Sequence, residues 1–363
     1  MPPLTHCVFL HQVYGLVLSI IPLVVSPSGD EAPAHWVERR CSAMGTDLHI
    51  EISGPTRALA LVASEQALRA IEATERRLST WSNHPLSELA RLNRATVGQP
   101  MALSDDLARE LRHALYWSQA TNGKFNPAVG PLVKAWDLRG QGRRPTAADL
   151  REARACSSLA NFEFHGLNAT RLSKGLTLDE GGFGKGAGLD AALAALVHTQ
   201  MSSVRLNLGG QWLVATGRGT ESASTTSFAV AHPRHRELSV LNLTMTTGSL
   251  ATSGNSERGI VVLGQHLGHL LDPSTGRPAP DFGSLTVLAP TGLAADALST
   301  GLYAMGPLKA LEWCSHREGI EVLALVVSSN GLQALASSGL KGRIQPCDSE
   351  LQVEFPVFST PVR

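Results

Sequence analysis

From residue 171 onward the chain is written in short apolar runs punctuated by glycine, proline and polar turns, a texture that a helical bundle cannot use. Runs at residues 204–214, 227–231, 238–245, 260–263, 285–288 and 321–327 have strand length and strand composition. Residues 171–173 and 176–179, on either side of Lys174-Gly175, read as a hairpin with a tight turn. Helices are expected at about 184–199 and 294–305, where Gly, Ala and Leu dominate. Earlier in the chain, residues 47–53 alternate with period two, and residues 57–78 carry Leu61, Ala67, Leu68, Ile71 and Leu78 at helical spacing. A shorter helix is expected over 86–94, and Ser104, followed by Asp105 and Asp106, caps another running to Ala120. Hairpin-linked strands with interspersed helices imply an α+β fold rather than a doubly wound parallel sheet. No period of 20–50 residues recurs, so repeat architectures are set aside.

Charge removes a function class. The chain has 363 residues with 31 Lys plus Arg against 31 Asp plus Glu, so the basic excess that phosphate neutralisation demands of a nucleic-acid binder is missing. With 43% hydrophobic and 17% charged residues it can bury a core. Residues 1–29 contain no Asp, Glu, Lys or Arg, and residues 15–26 form an apolar run of signal-peptide length, too short for a comfortable membrane span. Residues 1–33 therefore read as a signal peptide or leader with its linker, and 34–363 as a single domain. The expectation is export, with an uncleaved anchor or a later start as the other readings of a leader whose basic side chains are only His6 and His11. Cys7, Cys41, Cys156, Cys314 and Cys347 are scattered without a Cys-x-x-Cys pair, which indicates no zinc site and suggests buried free thiols. Residues 139–145, Arg-Gly-Gln-Gly-Arg-Arg-Pro, read as a solvated basic turn.

Four clusters can carry chemistry. Leu178-Asp179-Glu180-Gly181-Gly182-Phe183-Gly184-Lys185-Gly186 runs from a strand into a helix, a geometry that offers backbone N–H groups to an anion. It is not a phosphate loop, because Asp179 and Gly186 stand where Gly and Ser or Thr are required. It is not a dinucleotide fingerprint either, since Ala187 occupies the third glycine position and no parallel βαβ unit surrounds it. A structural turn and a ligand site both fit these residues. Leu206-Asn207-Leu208-Gly209-Gly210-Gln211 again leads into paired glycines, for which a bulge or tight bend is the plainer reading. Asp296 and Thr300 lie one turn apart on one face of an otherwise apolar helix. A carboxylate and a hydroxyl there suit Mg²⁺, while a helix-dipole carboxylate and a back-bonded threonine fit as well. His269, before the Asp272-Pro273-Ser274-Thr275-Gly276 turn, is a possible general base among 13 histidines.

In identity and order these residues resemble the ApbE family, the FAD:protein FMN transferases, from about residue 44 to 306. The resemblance is carried by Met44-Gly45-Thr46, Leu78-Ser79-Thr80-Trp81, Ser87-Glu88, Leu92-Asn93, and Thr121 to Phe125 with Pro127. It continues through Gly130-Pro131-Leu132, Trp136, Asp179 to Asp190, and Asn207 to Gly210. Thr252-Ser253-Gly254, His269 to Pro278, and Ala295-Asp296 with Thr300 complete it. The resemblance implies a T-fold-related unit of two intertwined α/β lobes with mostly antiparallel strands. It implies an enzyme that uses Mg²⁺, cleaves FAD as its substrate, and attaches FMN to a Thr or Ser of an acceptor protein such as an electron-transfer subunit, releasing AMP.

Carried over by position, Asp296, Thr300 and the Gly184 carbonyl would bind the metal, and His269 would be the base, with Asp296 also catalytic. Met44, Thr46, Trp81, Glu88, Asn93, Asp179, Lys185, Asp190, Gly209 and Gly210 would form or support the flavin pocket. Trp81 stands where the family often has Tyr. Glu180 and Gly184 depart from the usual Asp-Leu-Gly-Gly-Ile-Ala-Lys-Gly, Asn126 from Phe-Asp-Pro, and Gln211 from Gly-Gly-Asp. Other outcomes compatible with the residues are an FAD pyrophosphatase giving FMN and AMP, and a catalytically weak FAD-binding protein. An exported member would work in the periplasm or at the outer face of the inner membrane, and a cytoplasmic one would follow if the leader does not act.

Overall fold

Strands in which every second residue is apolar must bury one face, and this chain builds a nine-stranded sheet whose central strands are buried on both faces. The computed structural model describes residues 35–81, 86–216, 225–255, 259–262 and 264–358. The expected leader therefore lies outside the described residues. In spatial order the sheet runs His35–Ala43, Thr46–Gly54, Ser203–Leu208, Gln211–Thr216, Gly248–Gly254, Gly283–Ala289, Glu321–Ser328, Gly331–Ala336 and Val353–Glu354. Every neighbouring pair is antiparallel except the last. The fold is α+β, as the hairpin-rich sequence requires.

Eight helices are described: α1 (Arg57–Leu78), α2 (Glu88–Arg94), α3 (Asp105–Ala120), α4 (Gly130–Trp136), α5 (Ala147–Cys156), α6 (Gly184–Ala195), α7 (Gly292–Met305) and α8 (Pro307–Ser315). On one face of the sheet, Leu48, Ile50 and Ile52 meet Ala60, Ala63, Ala67 and Ile71 of α1 and Leu189 of α6. Farther along, Leu285, Val287, Val322 and Ala324 meet Leu298 and Leu302 of α7. On the opposite face, Trp212, Val214, Leu250, Leu323 and Leu325 are covered by Phe228, Leu241 and Leu243, which belong to a three-stranded sheet of Thr226–Ala231, Ser239–Met245 and Ile344–Pro346. The cap expected at Ser104 is present, its hydroxyl accepting from Leu107 N–H at α3, and Thr56 likewise accepts from Leu59 N–H at α1.

Four expectations are corrected. The hairpin placed at 171–179 lies one unit earlier, between Phe162–His165 and Asn168–Arg171. Residues 173–176 form a loop whose carbonyls at Ser173, Lys174 and Leu176 accept from the buried Arg171 guanidinium, so a side chain replaces the missing strand partner. The single run at 204–214 is two strands, because Gly209 and Gly210, with φ +58° and +87°, make a two-residue turn with positive φ at both positions. Helix α6 stops at Ala195 rather than continuing to 199. The edge strand His35–Ala43 was hidden by its Glu, Arg and Ser side chains, which an exposed edge tolerates. Cys41, Cys156, Cys314 and Cys347 are all free, but only Cys314 is buried.

A close backbone-to-backbone approach marks the crossing of α6 and α7. A Cβ at Gly186 would overlap the Gly292 carbonyl and stand 2.6 Å from Leu293 Cα, all of it backbone that cannot swing aside. Gly186→Ala is therefore expected to destabilise the protein by about 2–3 kcal/mol. Urea unfolding should show an earlier midpoint with an unchanged slope. A midpoint equal to the wild type would show that the crossing yields freely.

Candidate active site

Two hairpin turns sit side by side at one end of the large sheet. Met44-Gly45 joins the first two strands and Gly209-Gly210 joins the next two, with all four residues at positive φ. Positive φ is strained for Met44, and three contacts hold it there. Its N–H donates to Glu75 Oε2 (2.9 Å), and its thioether lies against the backbones of Gly184 and Gly188. Gly209 approaches Thr46 so closely that a Cβ would stand 2.7 Å from Thr46 Oγ1, so this glycine serves both the turn and the contact.

The turn that leads into α6 faces these hairpins. Asn93 pins its entry by bonding both backbone groups of Leu178, at 2.7 and 2.8 Å, and Asp179 N–H donates to Pro127 O. Asp179 Oδ1 then accepts from Gly181 N–H, two residues on. At 182 a Cβ would press on the side chains of Phe125 at 3.2 Å and Thr300 at 3.4 Å, which would have to shift by a few tenths of an ångström.

Helix α7 enters from the side. The buried Asp296 carboxylate accepts the Gly186 N–H (3.0 Å) and lies 3.4 Å from Lys185 Nζ, and Thr300 stands one turn farther along. Asp190 answers from α6, its carboxylate accepting the first two N–H groups of α7, those of Gly292 and Leu293 (2.9 Å). Burial raises the Asp190 pKa to about 6, although the two N–H donors pull it down.

Together these elements enclose a cavity of about 750 Å³, large enough for a dinucleotide. Met44, Thr46, Trp81, Asp179, Gly184, Lys185, Gly209, His269, Asp296 and Thr300 all line it. His269 follows the hairpin of Gly259–Val262 and Gln265–Gly268. Its neighbours are fixed by Asn255, which accepts from Leu270 N–H and donates to Ala279 O. Glu88, Asn93, Asp190 and Gly210 do not line the cavity. Glu88 caps α3 by accepting from Ser104 N–H and Oγ, Asn93 holds the turn, and Asp190 caps α7. Gly210 N–H donates to Asn207 Oδ1 within the hairpin.

Several lining residues had no site role assigned from the sequence. Arg139, taken there for part of a solvated turn, points inward: it donates to Asp179 Oδ2 (2.7 Å) and Thr80 Oγ1 (2.9 Å) and stacks over Trp81. The signal was the acidic pair Asp179-Glu180, because buried carboxylates require a cation or hydrogen bonds. Glu180, one of the departures from the family pattern, is buried rather than turned to solvent. It accepts the Thr80 N–H (3.1 Å) and hydroxyl, and its pKa is raised by burial and by the neighbouring Asp179 charge. Lys124, also on the wall, is held at 2.9 Å by both carboxylate oxygens of Asp272. Gln211 donates to Gly292 O (2.8 Å), tying the second hairpin to the start of α7.

Among the described residues no three His, Cys, Asp or Glu side chains cluster as a metal cage. The donor set that α7 and the turn present is oxygen only: a buried carboxylate, a hydroxyl and main-chain carbonyls. That set suits Mg²⁺, which binds few protein ligands and keeps waters or phosphate oxygens in its other positions.

Comparison with known proteins identifies the family. The model of the ApbE family matches residues 44–324. The FAD:protein FMN transferase of Haemophilus influenzae is 28% identical over 312 residues, covering 82% of this chain and 88% of that protein. The FAD:protein FMN transferase of Treponema pallidum is 26% identical over 356 residues, covering 93% and 97%. Among solved structures, the flavin transferase ApbE from Vibrio cholerae superposes with a TM-score of 0.73 at 26% identity, covering 86% of this chain and all of that one. The ApbE protein from Thermotoga maritima gives 0.75 at 25% identity, with 85% and 99% covered.

The Asp190 geometry makes a pH prediction. Its folded pKa, about 6, lies above the ordinary 3.8, so the stability it contributes is full below about pH 4 and is lost as pH rises through 6. Between pH 4 and 6.5 the unfolding free energy of the wild type should fall relative to that of Asp190→Asn, by about 3 kcal/mol at most. Parallel denaturation profiles for the two proteins over that range would refute the raised pKa.

Proposed function

The chain belongs to the ApbE family, and from that premise we propose that it is an FAD:protein FMN transferase. The observation that carries the reading is the cavity itself, in which the buried Asp296 and Thr300 stand beside the glycine turn while Trp81 and His269 line the same space. The comparisons support flavin transfer; the metal and the residue roles are those that the family resemblance implies, and the lining of the cavity is compatible with them.

The wall is acidic for a site that takes an anion. Glu75, Asp179, Glu180 and Asp296 face Lys124, Arg139 and Lys185, and Lys124 is already held by Asp272. A pyrophosphate adds further negative charge, so binding calls for a divalent cation. Asp296, Thr300 and the Gly184 carbonyl would hold Mg²⁺ there, and the ion when bound would neutralise the pyrophosphate and polarise its P–O bonds.

The protein's own groups do the rest. Lys185 is placed to reach phosphate oxygens, and Trp81 offers a ring for the isoalloxazine. His269 accepts the proton of the acceptor Thr or Ser hydroxyl as that oxygen bonds to the FMN phosphorus. The bond from that phosphorus to the bridging oxygen breaks, and AMP leaves with the oxygen. The apolar run at residues 15–26 favours an exported protein, whose acceptor would be an electron-transfer subunit at the outer face of the inner membrane.

Purified protein incubated with FAD, Mg²⁺ and candidate acceptor domains should give a fluorescent acceptor band in a denaturing gel. Asp296→Asn and His269→Ala should each lower its rate of formation by about 100-fold or more. Conversion of FAD to FMN and AMP with no labelled acceptor would identify a pyrophosphatase instead. Intact FAD in the presence of every candidate acceptor would argue for a binding protein.

A further inference from the structure

Trp81 is a poor shelf by itself. It keeps 48% of its surface exposed, and no apolar cluster of the core includes it. What fixes it is polar. The Arg139 guanidinium carbon lies 4.6 Å from the centroid of its ring. That guanidinium is held by Asp179 at 2.7 Å and Thr80 at 2.9 Å, with Glu180 at 3.6 Å. Glu180 also grips the backbone and hydroxyl of Thr80, the residue before Trp81. The cluster thus ties together three separate segments on the cavity wall: the chain leaving α1, the loop after α4 and the glycine turn.

We propose that Arg139 is the positioning residue for the flavin ring, a planar backing that holds Trp81 so that its other face receives the isoalloxazine. The inference rests on the reading of the cavity as an FAD site. It gives a purpose to Glu180, which anchors Thr80 and with Asp179 balances the Arg139 charge. The guanidinium suits this work because it can stack flat on indole while its edge bonds the Asp179 carboxylate and the Thr80 hydroxyl; a lysine ammonium has no flat face.

The test uses the full chain with Mg²⁺ and compares the wild type with Arg139→Ala and Arg139→Lys. FAD binding is followed by quenching of flavin fluorescence, and ADP binding, which does not involve the ring, by calorimetry. In Arg139→Ala the Kd for FAD should rise about tenfold and quenching should weaken, while the Kd for ADP stays within about twofold. Arg139→Lys should resemble Arg139→Ala. Unchanged or tighter FAD binding in Arg139→Ala would overturn the proposal, the latter because the guanidinium would then occupy the flavin's place. Parallel loss of ADP binding, or full rescue by Lys, would overturn it too. A wild type that binds ADP but neither binds nor quenches FAD would instead defeat the flavin reading itself, and the proposal with it.

Discussion

Helices α6 and α7 begin against each other, and each supplies what the other's N-terminus lacks. Asp190 of α6 takes the first N–H groups of α7, and Asp296 of α7 takes the Gly186 N–H near the start of α6. The exchange is possible only because Gly186 and Gly292 have no side chains at the crossing. Two carboxylates are thereby buried, compensated by the N–H donors and dipoles of the helix ends and, for Asp296, by Lys185 at 3.4 Å. The position of Asp296 in the cavity, and with it the oxygen pair it forms with Thr300, is a consequence of that exchange.

Around this point the walls come from elements far apart in the chain. The two hairpin turns at the sheet end, Met44-Gly45 and Gly209-Gly210, are brought together because strands Thr46–Gly54 and Ser203–Leu208 pair in the middle of the register. Side chains then join wall to wall: Gln211 to Gly292, Asn93 to Leu178, Lys124 to Asp272 and Arg139 to Asp179. Glycine serves different ends from place to place: positive φ in the hairpins, and room for a neighbour at 182, 186 and 292. The site is thus a set of close backbone approaches, with charged side chains most of which are already committed to a partner.

Much of this was legible from one-dimensional pattern. Helix α1 is bounded at the two residues that its periodicity marked, and Ser104 caps α3 as its position before two Asp residues required. The ordered motifs from Met44 to Thr300 pointed to the same cavity that the fold encloses. Long-range polar contacts left little trace. Arg139 looked like one of three arginines in a solvated loop, and only its arrival beside Asp179 and Trp81 gives it a role. Glu88, Asn93 and Asp190 matched the motif, yet they act from behind the wall, because a pattern records that a position is constrained and not whether it touches ligand or the backbone that does.

The sequence by itself determined the class of fold, the bounds of α1, the cap of α3 and the family resemblance, because alternation, capping and turn chemistry are local and act over a few residues. The tertiary structure decided which oxygens are buried together, how the acidic wall is balanced, and which of two hairpin-like segments pairs. Those outcomes depend on partners 30 to 150 residues away, as for Lys124 with Asp272 or Thr80 with Glu180, and on whether a side chain such as Arg171 satisfies the backbone first. Burial decides them, because only away from water does a single hydrogen bond or charge weigh enough to choose one arrangement over another.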